Sequence, residues 1–176
     1  MLARTSTGQL TRRRGEFFAL LVLAMALTTI ILAAGPAGAG GGGTTLHLYA
    51  KTSAKGIYTA SGQQITDPNA QTMPGDVFVN LGHVYMGTAT KHSAKAAGAY
   101  KVTCVLTTST GNSTCNAKVT VGGSSFLSKD VPVNLPGNEP VRITGGTGRY
   151  KKAQGFISSR PVPNSTDNDL TITYTR

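Results

Sequence analysis

The long apolar segment from Asp76 to Met86 carries polar side chains that could do chemistry. Alternate residues of a strand face opposite sides of a sheet, so His83 and Tyr85 belong to one face and Asn80 to the other. Imidazole, phenol and amide groups can stabilise developing charge in an apolar pocket that excludes water. Which face lines such a pocket stays open, because Gly82 is expected to form a bulge or bend; the alternative for all three is an ordinary half-exposed position.

A second candidate site is the glycine-rich run from Ile143 to Gly155, ITGGTGRYKKAQG. Dense glycines indicate positive φ angles or contacts too close for a Cβ, and a strand followed by GGTG could hold a phosphate. A dinucleotide site needs a further glycine where this chain has Lys151, followed by a helix and a second strand, and the Gly-Lys-Ser/Thr of a P-loop is absent. We therefore predict a structural motif, formed by Gly145, Gly146, Thr147, Gly148, Tyr150, Ala153 and Gly155.

The two cysteines, Cys104 and Cys115, flank a turn-rich segment. A hairpin centred between Ser109 and Thr110 places them opposite each other, and an exported chain with an even cysteine count is expected to bridge them. A reactive thiol or a metal ligand is the alternative, but the spacing of the histidines supplies no further metal ligands. We predict a disulfide and no metal site.

These residues must be positioned by strands. From Leu46 to the end of the chain, short runs of alternating apolar residues are separated by turn residues, and no segment has apolar residues at helical spacing for long enough to form a core helix. About eight strands without covering helices predict an all-β fold, either an antiparallel sandwich or a closed barrel. Because closure removes both exposed edges of a single sheet, we predict an eight-stranded antiparallel closed barrel.

The first 39 residues are predicted to form a signal peptide helix outside this fold. Arg12 to Arg14 precede an apolar run from Phe17 to Ala34, and Ala37-Gly38-Ala39 resembles a cleavage site. A retained membrane anchor is the alternative. We expect residues 40–45 to be a flexible tether, residues 46–176 to form one barrel domain, and the cleaved protein to be secreted to the extracellular space or cell envelope, without membrane contact.

The charge balance is strongly basic. The net charge is +10, and removal of residues 1–39 would take four of the 17 basic and one of the seven acidic residues, leaving +7. The basic residues are scattered, the chain has no Trp, and its Tyr and Phe residues are widely spaced. A nucleic-acid surface would cluster cations and interleave stacking aromatics, so no nucleic-acid partner is expected.

The run PVRITGGTGRYKKAQG, from Pro140 to Gly155, resembles the late-strand signature of the allene oxide cyclase and dirigent superfamily. The strand opened by Gly75-Asp76 and the cysteine-bearing strand from Val102 to Leu106 are similar to strands of the cyclases, so the resemblance covers Leu46 to Tyr174. It implies an eight-stranded barrel with an apolar, cofactor-free cavity, and a dimer or trimer.

The resemblance does not carry over the catalytic residues. Plant cyclases use a glutamate and an asparagine from early strands, and the corresponding stretch here has His47 and Tyr49. The candidate catalytic residues are therefore His47, Tyr49, Asn80, His83 and Tyr85. The expected function is binding of a small hydrophobic ligand, with a cofactor-free cyclisation or isomerisation as the activity of an isomerase. The alternative is a non-catalytic secreted binding or cell-envelope protein on the same barrel.

Overall fold

The structure is a computed structural model that describes residues 43–135 and 139–176, all in one compact unit. The predicted signal peptide, and the predicted tether up to residue 42, lie outside the described residues. The strands are β1 (Thr44–Tyr58), β2 (Gln64–Ile65), β3 (Val77–Thr88), β4 (Lys91–His92), β5 (Gly98–Leu106), β6 (Asn112–Val121), β7 (Ser124–Asn134), β8 (Val141–Ile143), β9 (Gly145–Gly146), β10 (Gln154–Pro161) and β11 (Asn168–Thr175). One 3-10 turn, Gly148–Tyr150, follows β9.

The principal strands form an antiparallel ring in the order β1, β3, β5, β6, β7, β8 with β9, β10 and β11, and β11 pairs with β1 again. The two-residue strands β2 and β4 lie outside this ring, where β2 pairs with the end of β1 and β4 with the end of β3. With β8 and β9 counted as one interrupted strand, the ring has eight strands. The predicted all-β, eight-stranded antiparallel barrel is confirmed.

The ring is closed by the segment that contains β8 and β9. Ile143 in β8 pairs with Gly155 in β10, while Gly146 in β9 pairs with Phe126 in β7. Between the two strands, the Thr144 backbone N–H donates to the Leu127 carbonyl over 2.9 Å. A single short segment therefore changes partner from β10 to β7, so both neighbouring strands are paired without a long closing strand.

One end of the barrel, the filled end, is packed with aromatic side chains. The buried rings of Phe126 and Tyr150 stack with centroids 3.9 Å apart, and Tyr174 meets Phe126 edge-on at 4.9 Å. The glycine-rich motif lies here. A Cβ on Gly146 would lie 2.2 Å from the Tyr150 carbonyl oxygen, and one on Gly155, whose φ is +146°, would lie 2.0 Å from the Thr173 carbonyl oxygen. Its glycines thus allow backbone segments to approach closely around the Tyr150 ring.

Two bulges reverse which side chains face inward. The expected bulge at Gly82 is wrong: the register of β3 is continuous, and the shift lies on its partner β1, between Thr52 and Ala54. A Cβ at Gly82 would lie 2.0 Å from the Lys51 carbonyl oxygen, so glycine is needed for close approach instead. The extra β1 residue turns Lys55 toward the interior, opposite Asn80.

The second bulge is in β7. Its register against β6 shifts between Cys115 and Ala117, which pair with Val131 and Ser128 respectively. Asp130, at the bulge, has a φ of +51°, and its N–H donates to the Asn116 side chain over 3.2 Å. Before the bulge, even-numbered residues such as Phe126 and Ser128 face the interior. After it, odd-numbered residues do, so Val133 lines the interior.

The predicted disulfide is confirmed. Cys104 in β5 and Cys115 in β6 are directly paired, with their Cα atoms 4.0 Å apart, and their sulfur atoms are bonded. Both residues are buried on the interior side of the barrel. The bridge therefore joins two neighbouring strands inside the barrel, next to the space described below.

Candidate functional site

The end of the barrel opposite the filled end contains a cavity of about 320 Å³. It is surrounded by the C-terminal halves of β1, β5, β7 and β10 and the N-terminal halves of β3, β6 and β11. Its walls are mainly apolar and comprise Ala50, Phe78, Val102, Cys104, Cys115, Ala117, Val119, Val133, Leu135, Val141, Ile157, Pro161 and Leu170. Its volume is at the lower end of the range for small-molecule sites, about 300–1,000 Å³.

One wall of the cavity carries a chain of hydrogen-bonded polar side chains. The Tyr100 hydroxyl lies 2.9 Å from Asn80 Oδ1 and 2.9 Å from Thr52 Oγ1. The Thr52 hydroxyl donates to the Thr166 carbonyl oxygen over 2.7 Å. Burial raises the pKa of Tyr100, with the negative charge of Asp167 acting in the same direction and the hydrogen bond to Thr52 opposing it. The phenol is therefore protonated at neutral pH, and it can take part in hydrogen bonding with a ligand.

The loop of residues 162–167, called the rim loop below, borders the cavity between β10 and β11. It is fixed to β1 through Asp167, whose carboxylate accepts hydrogen bonds from the Tyr49 hydroxyl and, over 2.9 Å, from the Thr52 backbone N–H. Desolvation alone would raise the pKa of Asp167, but hydrogen bonds from Tyr49, Thr52 and Ser165 and the charge of Lys51 outweigh it and hold that pKa below its usual value. The carboxylate is thus ionised and held by donors at neutral pH.

The same hydrogen bond acts on Tyr49. Donation to Asp167, assisted by desolvation and by nearby negative charge, raises the pKa of Tyr49 to about 12. Tyr49 therefore serves as a hydrogen-bond donor at any physiological pH, because losing its proton would place two negative charges together. Its role in the described geometry is to hold the rim loop from outside the cavity.

Charged groups at the cavity rim are few and mixed in sign. Lys55 lies with its Nζ 5.6 Å from the centroid of the Phe78 ring, within the range of a cation–π contact. Glu139 and Asp167 also border the cavity. The apolar walls with a mixed polar rim favour a largely apolar ligand that has one or two polar groups.

Ser128 contributes a buried hydroxyl on the interior face. It is only 1% exposed, and its Oγ has no hydrogen-bond partner among the described residues. Directly paired residues of neighbouring strands share a face, and Ser128 is paired with the cavity residue Ala117. The hydroxyl therefore faces the same interior as the cavity wall.

The structure separates the candidate catalytic residues between the two faces of the barrel. Asn80 lines the cavity. His83 is exposed, and because it directly follows Gly82, a position on the inner face of β3, its side chain faces outward. Tyr85, with the same alternation as His83, lies on the outer face. The open choice between the two faces of β3 is thereby resolved in favour of Asn80.

The two candidates on β1 are also on the outer face. His47 is exposed, with Nδ1 3.4 Å from the Thr171 hydroxyl. Tyr49 lies between Leu48 and Ala50, whose buried side chains face the interior, so its own side chain faces outward. Tyr49 forms an external aromatic cluster with Tyr85 and His92, with ring centroids 4.5 Å from His92 and 6.0 Å from Tyr85. None of the three histidines of the chain lines the cavity.

Three polar residues of the site were not singled out from the sequence: Thr52, Tyr100 and Asp167. Tyr100 shares a strand face with Cys104, a pattern that indicated packing and gave no sign of a hydrogen-bonded chain. Asp167 lies in a polar segment, and its contact with Thr52 of β1 joins positions 115 residues apart. The β1 bulge, which local alternation does not reveal, determines that Lys55 also reaches this site.

In the ranges 43–135 and 139–176, no three His, Cys, Asp or Glu side chains are grouped closely enough to hold a metal ion. The same ranges contain no helix with the length and apolar character needed to cross a bilayer.

Comparison with known proteins identifies the fold. No family model matches the chain, and no curated protein matches it in sequence. Among solved structures, the chain is similar to pyocyanin demethylase, with 16% sequence identity and a TM-score of 0.55 over 75% of this chain and 100% of the other. At this identity the likeness concerns the backbone, and the chain therefore shares its barrel fold with that protein.

Proposed function

We propose that the protein binds a small, largely apolar ligand in the cavity at the open end of the barrel. The observation that carries this proposal is that the described residues pack the barrel interior with side chains at one end, whereas mainly apolar walls line a cavity of about 320 Å³ at the other. A barrel needed for its shape alone could be filled by side chains along its whole length, as small barrels commonly are. Here Ala50 and Ala117 are small residues at positions where larger ones would occupy the cavity.

Chemistry on the bound ligand is the finer part of the proposal. A cofactor-free cyclisation or isomerisation, as in the superfamily that the glycine-rich motif resembles, needs an apolar enclosure and polar groups that stabilise developing charge. Asn80 and Tyr100 are the cavity residues suited to that role, since both are held in place by hydrogen bonds. The structural neighbour, whose name describes demethylation of pyocyanin, supports the idea that such a barrel can act on a ligand.

A non-catalytic binding or cell-envelope protein is the second candidate function. A specific observation favours it: His47, His83 and His92 are outside the cavity, and the Asp167 carboxylate is occupied by donors from β1. The described cavity lining therefore offers no histidine, the side chain that most often performs general acid–base catalysis, and two of its ionisable groups, Lys55 and Glu139, are exposed at the rim. A cyclisation or isomerisation in this cavity would therefore depend on hydrogen bonds that stabilise the reacting ligand.

Export and assembly belong to the same proposal. A disulfide persists in oxidising compartments, so the Cys104–Cys115 bridge supports secretion to the extracellular space or envelope. A homodimer or homotrimer is proposed from the family resemblance, and size-exclusion chromatography with light scattering would measure it.

A thermal-shift screen with unsaturated fatty acids and phenolic compounds tests ligand binding. Bound ligands raise the unfolding temperature by mass action. The cavity is then tested with Ala117→Phe, which places a ring inside it, and with Val105→Phe as a control, because Val105 is 40% exposed on the neighbouring strand. We expect hits that stabilise wild type and Val105→Phe but leave Ala117→Phe unaffected. No stabilising compound, or equal stabilisation of all three proteins, would contradict the proposal.

A further inference from the structure

The hydrogen-bonded chain on the cavity wall contains more contacts than its hydroxyl groups have protons. Three oxygen contacts join Asn80 to Tyr100, Tyr100 to Thr52 and Thr52 to the Thr166 carbonyl, at 2.9, 2.9 and 2.7 Å. The protonated phenol and the Thr52 hydroxyl each have one proton to donate, and a carbonyl oxygen can only accept. Two hydroxyl protons cannot serve three contacts, so the third contact needs a donor from elsewhere.

The proton of Thr52 is committed to the Thr166 carbonyl, since that contact has no other donor. The contact between Tyr100 and Thr52 must then use the phenolic proton. If Tyr100 instead donates to Asn80 Oδ1, the oxygens of Tyr100 and Thr52 lie 2.9 Å apart without a proton between them. All three contacts become hydrogen bonds only when Asn80 donates to the Tyr100 oxygen through Nδ2.

The Asn80 side chain can supply this donor by a half-turn of its amide. The amide oxygen and nitrogen have nearly the same shape and exchange places in that turn, so the surrounding hydrogen bonds decide the orientation. No other hydrogen bond of the Asn80 side chain forms within the described residues, so nothing else opposes the turn. The turn leaves Oδ1 as the outward atom of a residue that lines the cavity.

We propose that Asn80 donates to Tyr100 and presents its amide oxygen to the cavity, so that the site selects apolar ligands bearing a hydroxyl or N–H donor. This inference rests on the proposed ligand-binding function and adds the chemical class of the ligand. A ligand whose polar atom can only accept hydrogen bonds, such as an ether, would bring that atom against Asn80 Oδ1, and this amide oxygen would have no donor. Ser128 does not alter this preference, because a hydroxyl serves equally as donor and acceptor. Lys55 does not alter it either, because this donor is a solvent-exposed rim residue whose ammonium lies against the Phe78 ring.

The test compares two ligands of closely similar shape, 1-naphthol and 1-methoxynaphthalene, by calorimetric titration or fluorescence. One hydrogen bond corresponds to a roughly three- to tenfold difference in affinity, so wild type should bind the naphthol by about that factor more tightly. Equal binding, or tighter binding of the methoxy compound, would overturn the inference while leaving the proposed function supported. If neither compound binds at its solubility limit, the proposed function itself fails for such ligands, and the inference fails with it.

Substitution of Thr52 gives a second, independent readout. In Thr52→Val the phenolic proton loses its acceptor and is free for Asn80 Oδ1, so the amide turns and presents Nδ2 to the ligand. The preference should then disappear or reverse in favour of 1-methoxynaphthalene. Thr45→Val is the matched control, since it makes the same change at an exposed position of the same strand and should retain the wild-type ratio.

A third variant keeps the test decisive if Thr52→Val does not fold, because that residue also holds the rim loop. Asn80→Leu removes the amide and leaves an apolar wall of similar size. It should lose the preference for 1-naphthol, because 1-methoxynaphthalene no longer faces a carbonyl oxygen without a partner and should bind at least as tightly as it does to wild type. A preference that survives in Asn80→Leu would show that another group selects the ligand, and it would overturn the assignment to Asn80.

Discussion

Replacing Gly146 by alanine places a methyl group where two backbone carbonyls already lie. The new Cβ would be 2.2 Å from the Tyr150 oxygen and 2.7 Å from the Ser125 oxygen, whereas Cβ contacts below 3.0 Å essentially never occur. The backbone would have to move by about 0.8 Å to reach that limit. The adjacent Gly145 has no atom within 4 Å of its added Cβ and no positive φ, so Gly145→Ala is a control one residue away.

The magnitude follows from what this movement disturbs. The Tyr150 carbonyl accepts a hydrogen bond from Ala153 at 2.9 Å, and the Ser125 carbonyl accepts one from Thr147 at 2.8 Å. Overpacking typically costs about 1–3 kcal/mol. Because both contacts are with hydrogen-bonded backbone, we expect the upper end, about 3 kcal/mol, which lowers the melting temperature by roughly 10 °C for a domain of this size. Gly145→Ala should be neutral or stabilise by up to about 1 kcal/mol.

Thermal and urea unfolding of both variants, followed by far-ultraviolet circular dichroism, measures the difference. The two substitutions restrict the unfolded chain equally, so the comparison isolates the contacts of the folded state. The close-approach argument would be refuted if Gly146→Ala melted within 2 °C of wild type, or if Gly145→Ala were equally destabilised. Unchanged m-values are needed as a check that the unfolded states remain comparable.

Two further predictions concern the disulfide and the rim loop. Replacing Cys104 and Cys115 by alanine should lower the free energy of unfolding by about 2–3 kcal/mol, as expected for a short closed loop, and an unchanged urea midpoint would contradict this. Denatured wild type should release no free thiol without reductant. The depressed pKa of Asp167 means that its carboxylate stabilises the fold above its unfolded pKa of about 3.9 and loses this effect as pH falls through the lower folded value. The Thr52 amide proton shift in NMR should therefore titrate below about pH 3.9, with no such transition in Asp167→Asn; a midpoint above the usual aspartate value would show that the carboxylate is not held by these donors.

Local alternation was sufficient to predict an all-β fold because the strands have one buried face, whereas the choice of a barrel over a sandwich came from the argument that closure removes exposed edges. Tyr100, Val102, Cys104 and Leu106 share a face in the sequence, and the structure places Tyr100, Cys104 and Leu106 among the buried residues. The pairing of the cysteines followed from the centre of one short hairpin. Both features depend on residues close together in the chain, so sequence spacing contains the relevant geometry.

The site was less predictable because it depends on contacts between distant segments. Asn80 was one of the candidate residues, but its partners Tyr100 and Thr52 are in other strands, and no local pattern links them. The inward position of Lys55 arises from one extra residue in β1, and a bulge of this kind reverses the alternation without an obvious signal. His47 and Tyr49 were selected by resemblance to enzymes with different residues there, and both lie outside the cavity.

The ring of strands has a consequence for the order in which the chain can be connected. Each of the eight ring strands pairs with its neighbours in the sequence, and β11 returns to β1, where Thr44 lies opposite Tyr174. In an antiparallel pair such residues are about 5 Å apart, so a linker of a few residues could join them. New ends could then be opened at the Gly122–Gly123 turn between β6 and β7 without changing any neighbour in the ring. Such a circular permutant would make the β1–β11 pairing local and the β6–β7 pairing long-range, so the barrel and its cavity would persist while the folding order changed.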